Sequence, residues 1–327
     1  MPVTITAGVT FSGGGLTMAF APPGGATAGW YASSAYLPAK SSVYRITFAT
    51  DTATASTRAP LSSAVYNTVG FGTMTDGWFA GGSVYPSTNR TTVNRITYAT
   101  DTATASVRGP LTTSTSAAGA SSDGSTYGWV GGGTSPSVTL STVERITYAT
   151  DTDIATNRGP LSLARPYLAS TGTSSYGWYL GGNQPATTTI DRITFATDTA
   201  TASVRGPLGS ATSFSTGAVT DSTTYGWLGG GSNPPGATFM STVSRITYST
   251  DTDVASVRGP LNVAVQSGAA TCDTTYGWFG GGYITPPNYA QITTITRITY
   301  ATDTATSVSR GTFPVVISNM GSSSGIQ

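Results

Sequence analysis

Short runs of alternating apolar and polar residues, separated by Gly, Pro, Ser, Thr and Asp, fill most of this chain. In "RITYAT", Ile96 and Tyr98 supply the larger apolar positions and polar or small residues stand between them, which is the two-residue period of a pleated strand with one apolar face. No segment has a convincing 3.6-residue apolar period, so helices should be nearly absent. The pattern therefore predicts an all-β protein.

This pattern is repeated six times along the chain. The "RIT" motif recurs about every 50 residues, a period typical of propeller blades and too long for most helical solenoids. Each copy predicts four short strands, namely a variable run after "PL" such as residues 164–171, the "YGWVGG" run, "RITYAT", and "TASVRGP", which is ended by glycine and proline. The six copies begin at Arg45, Arg95, Arg145, Arg192, Arg245 and Arg297.

The two ends of the repeated region predict how the array closes. The first copy begins at Trp30 without a first strand, whereas the last copy continues past Arg310 into a segment long enough for a strand but without a GW motif. We therefore predict a six-bladed β-propeller of four-stranded antiparallel blades over residues 25–327, closed by the C-terminal segment, which supplies a strand to the first blade. Residues 1–24 remain as a short β-rich extension with a Pro/Gly linker.

Tryptophan, arginine and aspartate recur at fixed positions of the repeat. Every tryptophan follows a glycine and is expected to pack between blades, and all arginines except Arg90 and Arg165 belong to "RIT" or to the "RGP" position, which reads "RAP" in the first copy and "RGT" in the last. Charges repeated in register predict inter-blade or turn hydrogen bonding rather than catalysis, and in a turn Asp101 would bind the amides just beyond it. The structural positions are Trp30, Trp78, Trp129, Trp178, Trp227, Trp278, Arg108, Arg158, Arg205, Arg258, Asp101, Asp151, Asp198 and Asp251.

Two connections vary in length between copies: the loop from the second to the third strand, and the link from the fourth strand to the next blade. In an up-and-down blade both emerge on the same face, so we expect all length variation there and nominate this face for binding. Aromatic and arginine side chains on these connections either bind a ligand, since they supply much interface energy and stack on sugars, or merely cover the blade ends. The candidates are Tyr85, Arg90, Arg165, Tyr167, Phe239, Tyr283 and Tyr289.

Composition narrows the chemistry further. Only 9% of residues are charged and the net charge is +1, so no basic surface for nucleic acid is expected. Histidine is absent and Cys272 is the only cysteine, which removes the usual catalytic base and ordinary zinc ligands. We expect no catalytic residue, metal or cofactor, no signal peptide and no membrane insertion, with Cys272 as a small buried residue.

A resemblance to known repeats rests on two motifs. The glycines after an aromatic strand, as in "YGWFGGG", resemble the kelch class of β-propeller. Together with "RITYATDTATASVRGPL" they are similar to repeats in structural and tail-fibre-like proteins of tailed bacteriophages, especially those that infect cyanobacteria, over about residues 29–311. The first copy departs from this pattern with "YASSAY", and the last with "RGTF".

The resemblance implies a virion component displayed on the outside of the particle, in several copies or as a homo-oligomer, with residues 1–24 contacting other virion proteins. The leading hypothesis is a non-enzymatic tail, neck or capsid-surface appendage whose variable loop face binds a host-surface glycan or a neighbouring virion protein. The alternative is a free lectin-like carbohydrate-binding propeller. A glycan-active enzyme comes third, because it would need paired acids outside the repeated positions.

Overall fold

The computed structural model describes residues 10–12, 15–17, 26–34, 39–84, 88–183, 186–233, 238–284 and 290–324. It confirms the all-β prediction: six four-stranded antiparallel sheets form the blades of a propeller. The inner strands contact one another in an unbroken ring, and the second, third and fourth strands follow outward in each blade. Among these residues no helix is long and apolar enough to cross a membrane.

Strand bounds are nearly the same from blade to blade. The inner strands of blades 1 to 6 are Gly321–Ser324, Val69–Gly72, Gly119–Ser122, Ala169–Gly172, Gly217–Thr220 and Ala269–Cys272. The second strands are Ala28–Ser34, Asp76–Ala80, Tyr127–Gly131, Tyr176–Leu180, Tyr225–Gly229 and Tyr276–Gly280. The third strands are Lys40–Thr47, Val93–Thr97, Val143–Thr147, Ile190–Thr194, Val243–Thr247 and Thr294–Thr299. The fourth strands are Ser56–Arg58, Ser106–Arg108, Thr156–Arg158, Ser203–Arg205, Ser256–Arg258 and Val308–Thr312.

Blade 1 combines strands from the two ends of the repeated region. Its inner strand, Gly321–Ser324, pairs antiparallel with Ala28–Ser34, so that Trp30 lies opposite Ser323. This pairing confirms the predicted closure by the C-terminal segment. The ring therefore has six complete blades, and no blade is left without an inner strand.

Two local predictions differ from the structure. The third strand of blade 2 ends at Thr97, and Tyr98–Thr100 form a single 3₁₀ turn that carries the Tyr98 ring out of the sheet. The alternation in "RITYAT" does not reveal where the strand ends, because the two-residue apolar period continues from Ile96 to Tyr98. The inner strand of blade 4 begins at Ala169 rather than Ala164, since the preceding residues form the link. The six turns are Phe48–Thr50, Tyr98–Thr100, Tyr148–Thr150, Phe195–Thr197, Tyr248–Thr250 and Tyr300–Thr302.

The core lies between blades. One apolar cluster, for example, joins Phe71 and Trp78 of blade 2 to Ile146 and Tyr148 of blade 3. A single blade leaves such side chains exposed, and a neighbour of the same kind covers them. Cys272, at the end of the inner strand of blade 6, is buried as expected.

The second-to-third loops and the links between blades lie on one face of the disc, which we call the link face. Backbone bridges join the two connections there, as between Tyr66 and Ser83 and between Ser116 and Thr134. Near the N-terminus, Thr10–Ser12 pairs with Gly15–Thr17. Most of residues 1–24, including the Pro/Gly linker, lies outside the described residues, so its attachment role stays a prediction.

Candidate functional site

The repeated tryptophan, arginine and aspartate residues meet in an inter-blade cluster. The Oδ2 atom of Asp151 in blade 3 accepts hydrogen bonds from Trp78 Nε1 at 2.9 Å and Arg95 Nη1 at 3.1 Å, and Arg108 Nε lies 3.5 Å away, all three in blade 2. Asp101 accepts in the same way from Trp30 and Arg45, so the prediction that its side chain binds amides just beyond it is wrong.

The cluster recurs at all six blade interfaces, including the closing one. The carboxylates of Asp198, Asp251 and Asp303 accept from Trp129, Trp178 and Trp227. At the closing interface, Asp51 of blade 1 accepts from Trp278 and Arg297 of blade 6. The arginines of the fourth strands of blades 3 to 6 lie 3.4 to 3.6 Å from the same carboxylates, and they are Arg158, Arg205, Arg258 and Arg310. These charged contacts therefore join each blade to its neighbour around the ring.

An aromatic residue of the 3₁₀ turn stacks on each cluster tryptophan. Tyr98 lies 3.8 Å from Trp30 between ring centroids, and Tyr148 lies 4.2 Å from Trp78. The Tyr148 hydroxyl shares a 2.6 Å hydrogen bond with Ser122, and burial raises the pKa of this phenol well above its usual value. Tyr98, Tyr248 and Tyr300 have raised pKa values for the same reason, whereas Phe48 and Phe195 occupy the position in blades 1 and 4.

Length variation occurs on both faces of the disc. The turn from inner to second strand, on the face opposite the link face, has one residue more in blades 3 and 5 than in blades 2, 4 and 6. In the longer turns Asp123 and Asp221 each accept three backbone amides on Oδ1. The expectation that all variation lies on the link face is therefore wrong, because the tryptophan spacing includes this opposite turn.

Arg165 belongs to the protein interior, not to a binding surface. Its side chain is 0% exposed and lies 2.7 Å from Asp191, which is also 0% exposed. The guanidinium further donates to the carbonyls of Gly181 at 2.6 Å and Tyr179 at 3.1 Å. The candidate binding role of Arg165 is therefore wrong. The sequence signal was Asp191 itself, directly before the "RIT" arginine, where the other copies have Tyr, Asn, Glu, Ser or Thr.

The other candidates occupy different environments on the link face. Arg90 is exposed in the second-to-third loop of blade 2, and Tyr283 is half-buried, with its hydroxyl accepting a hydrogen bond from Gln291 Nε2 at 3.1 Å. Phe239 is only 4% exposed, which removes it from the surface. Tyr85 and Tyr289 lie outside the described residues. Tyr167 is half-buried and lies near the propeller axis. The residues around it there were not among the candidates from the sequence.

Six residues near the axis, one per link, share a left-handed backbone conformation with φ between 51° and 57°. We call them the axial ring: Asn67, Ala117, Tyr167, Phe214, Ser267 and Asn319. Five of these residues donate their backbone N–H to the carbonyl of the axial-ring residue in the preceding link. These bonds, 2.6 to 3.0 Å long, run from Asn67 to Asn319, Ala117 to Asn67, Tyr167 to Ala117, Ser267 to Phe214 and Asn319 to Ser267.

The axial ring lines a cavity of about 140 Å³ that opens on the link face. Tyr167 and Phe214 form an aromatic pair at its wall, with ring centroids 4.0 Å apart and planes tilted by 32°. Sequence reasoning found Tyr167 and missed Phe214, Asn67, Ser267 and Asn319. The available signal was their constant position, seven residues after the proline of "RGP" or its equivalent in each copy.

Within the described ranges, no group of three or more His, Cys, Asp or Glu residues is placed to hold a metal ion. No protein family and no curated protein matches this sequence.

Proposed function

We propose that this protein is a non-enzymatic structural protein of a tailed-phage virion, a tail, neck or capsid-surface appendage present in several copies. Its link face binds a host-surface glycan or a neighbouring virion protein. The kelch-like and phage-type repeat motifs suggest the particle. The observation that carries the binding role is the axial ring, in which six equivalent positions hold five different residue types.

This variety contrasts with the scaffold. The tryptophan–arginine–aspartate clusters contain the same residue types at every blade interface. These side chains therefore stabilise the ring, and no cluster differs from the others in a way that would favour a ligand. The axial ring instead presents amide, hydroxyl, methyl and aromatic groups on one backbone frame. Diverse side chains on a rigid frame are the arrangement found at binding sites.

A lectin-like carbohydrate-binding propeller that acts free of any particle is the second candidate. The half-buried pair of Tyr167 and Phe214 favours it, because aromatic faces stack on the C–H faces of sugars. The two candidates share a binding face and differ in whether the protein is part of a virion.

Deletion of residues 1–24 from the full chain in the phage that encodes it tests the virion role. We expect the truncated protein to remain folded and to be absent from purified particles, as measured by circular dichroism and by mass spectrometry of the particles. Absence of the unmodified protein from particles would contradict the virion role and favour the free lectin. A glycan array that stays blank for a protein abundant in particles would leave binding to a virion protein as its role.

A further inference from the structure

We infer that the axial cavity binds one neutral pyranose, the terminal sugar of a longer glycan, between an aromatic wall and an amide wall. The inference rests on the proposed binding function and deepens it, since it names the site and the ligand class. The aromatic wall is Tyr167 with Phe214, and the amide wall is Asn67 with Asn319.

The left-handed backbone of the axial ring is unusual for the side chains that it carries. Residues other than glycine, asparagine and aspartate rarely adopt a left-handed backbone, and tyrosine and phenylalanine are among the unusual ones. This chain has 41 glycines. Some of them occupy the left-handed positions just after the second strands, such as Gly81 and Gly132, with φ of 64° and 70°. At Tyr167 and Phe214 the same conformation carries an aromatic side chain instead.

The order of blades sets which groups face each other. The six ring positions follow one another around the axis, so Tyr167 lies across from Asn319 and Phe214 lies across from Asn67. One side of the cavity therefore offers apolar ring surface, and the other offers amide donors and acceptors. A pyranose has the matching chemistry, with an apolar C–H face and equatorial hydroxyls.

Charge and size select the ligand further. The described residues that line the cavity carry amide, hydroxyl, aromatic, aliphatic and thioether side chains, a lining that suits an uncharged sugar better than a uronic or sialic acid. The volume of about 140 Å³ is below the range of roughly 300–1,000 Å³ for pockets that enclose drug-sized ligands. A ligand longer than one sugar ring would therefore have to extend out of the cavity over the link face.

Saturation-transfer-difference NMR of the full-length protein with methyl glycosides of glucose, galactose, mannose and N-acetylglucosamine tests the site. We expect transfer to at least one of them, with an affinity reduced about tenfold or more in Tyr167→Gly and in Phe214→Gly. Glycine suits the left-handed backbone, so both variants should fold. The control is Met74→Ala, an exposed large side chain in the turn between the inner and second strands of blade 2, on the face opposite the link face, and it should bind within twofold of the unmodified protein.

Asn319→Gly gives a second, independent test from the amide wall, and it should also weaken binding while the protein stays folded, because glycine suits the left-handed backbone at this position. Binding that survives in all three glycine variants would overturn the site and leave the proposed function standing. No transfer to any of the four glycosides would overturn the ligand class. Failure of the proposed virion role shows separately, as absence of the protein from particles.

Discussion

The inter-blade clusters and the axial ring both follow the six-fold order of the propeller, yet one is uniform and the other varied. In a cluster the contact between blades is made by side chains, as when Trp78 donates to Asp151, so a change in one copy leaves its partner in the next copy unpaired. In the axial ring the contact is made by backbone N–H and carbonyl groups, as from Ala117 to Asn67. Side chains are therefore free to diverge where the backbone holds the ring together.

Arg165 and Asp191 form a third arrangement, a charged pair that exists in one link. The corresponding residues of the link between blades 1 and 2 and of the third strand of blade 2 are Val65 and Asn94. In both links the third-strand residue accepts a backbone amide, from Ser162 or from Ser62. The pair is thus a local variant of a shared contact.

The largest effect should come from breaking this pair. Arg165→Val leaves the Asp191 carboxylate buried and without its counter-ion, and should lower the free energy of unfolding by about 3–5 kcal/mol. Urea denaturation measures the loss. The double variant Arg165→Val, Asp191→Asn reproduces the native combination of Val65 and Asn94 in the other link. It should recover most of the lost free energy of unfolding. A double variant as unstable as Arg165→Val would contradict the view that this pair replaces an uncharged one.

A somewhat smaller loss in the free energy of unfolding, about 3 kcal/mol, is expected for Asp151→Ala, which removes the hydrogen-bond acceptor of Trp78 and Arg95 and the counter-ion of Arg108. Water reduces the loss because the side chains of Arg95 and Arg108 are 27% and 19% exposed. Asp198→Ala should cost the same, since its cluster is the same. The exposed Asp153→Ala is the control and should change stability by less than about 0.5 kcal/mol. Unequal losses of unfolding free energy for Asp151→Ala and Asp198→Ala would contradict the view that the clusters are equivalent.

Alkaline pH should act on the clusters through their stacked tyrosines. Burial raises the pKa of Tyr248, so the folded state keeps a proton that the unfolded chain releases above about pH 10. The contribution of this group to stability is therefore complete below about pH 10 and is lost as pH rises further, by about 1.4 kcal/mol per pH unit until the folded-state pKa is reached.

Tyr248→Phe, which copies the native Phe195 of blade 4, should reduce this pH slope above pH 10 by that amount. The slope follows from urea midpoints at several pH values. Equal slopes for the variant and the unmodified protein would show that Tyr248 is accessible to hydroxide in the folded state.

The smallest effect belongs to the axial ring backbone. Ala117→Gly relieves a left-handed alanine but adds freedom to the unfolded chain, and the net change should stay within about 1 kcal/mol. Gly132→Ala is the matched contrast, because a Cβ there would lie 2.8 Å from the Arg165 carbonyl oxygen in a left-handed residue. In thermal unfolding, Gly132→Ala alone should clearly lower the melting temperature. A decrease of similar size for Ala117→Gly would contradict the view that backbone hydrogen bonds hold the axial ring together.

The fold was predictable because its determinants are periodic. The 50-residue repeat and the alternation in "RIT" indicated the blades, and the missing first strand before Trp30 indicated the closure. Contacts between copies of the repeat were harder to predict. The position of Asp101 in its own copy does not show that its carboxylate accepts a hydrogen bond from Trp30 in the neighbouring copy. Turn chemistry suggested local amides, and the stronger donors of the neighbouring blade are its partners instead.

The candidate site was less predictable for two physical reasons. Burial of Arg165 depends on Asp191, which lies 26 residues further along the chain and meets it only in the folded link. The left-handed conformation of Phe214 and Ala117 has no compositional signal, because these residue types seldom adopt it. Tyr167 was found by its aromatic chemistry alone, and the rest of the axial ring became apparent only through its shared backbone geometry.

The closure of blade 1 sets an order of events during synthesis on the ribosome. Blades 2 to 6 each draw their strands from one continuous stretch and can assemble as they emerge, whereas Ala28–Ser34 waits for Gly321–Ser324. Until then one edge of that early strand has unsatisfied backbone groups open to pairing with another nascent chain. Pairing of Gly321–Ser324 with Ala28–Ser34 therefore ends the period in which this edge can pair with the wrong strand.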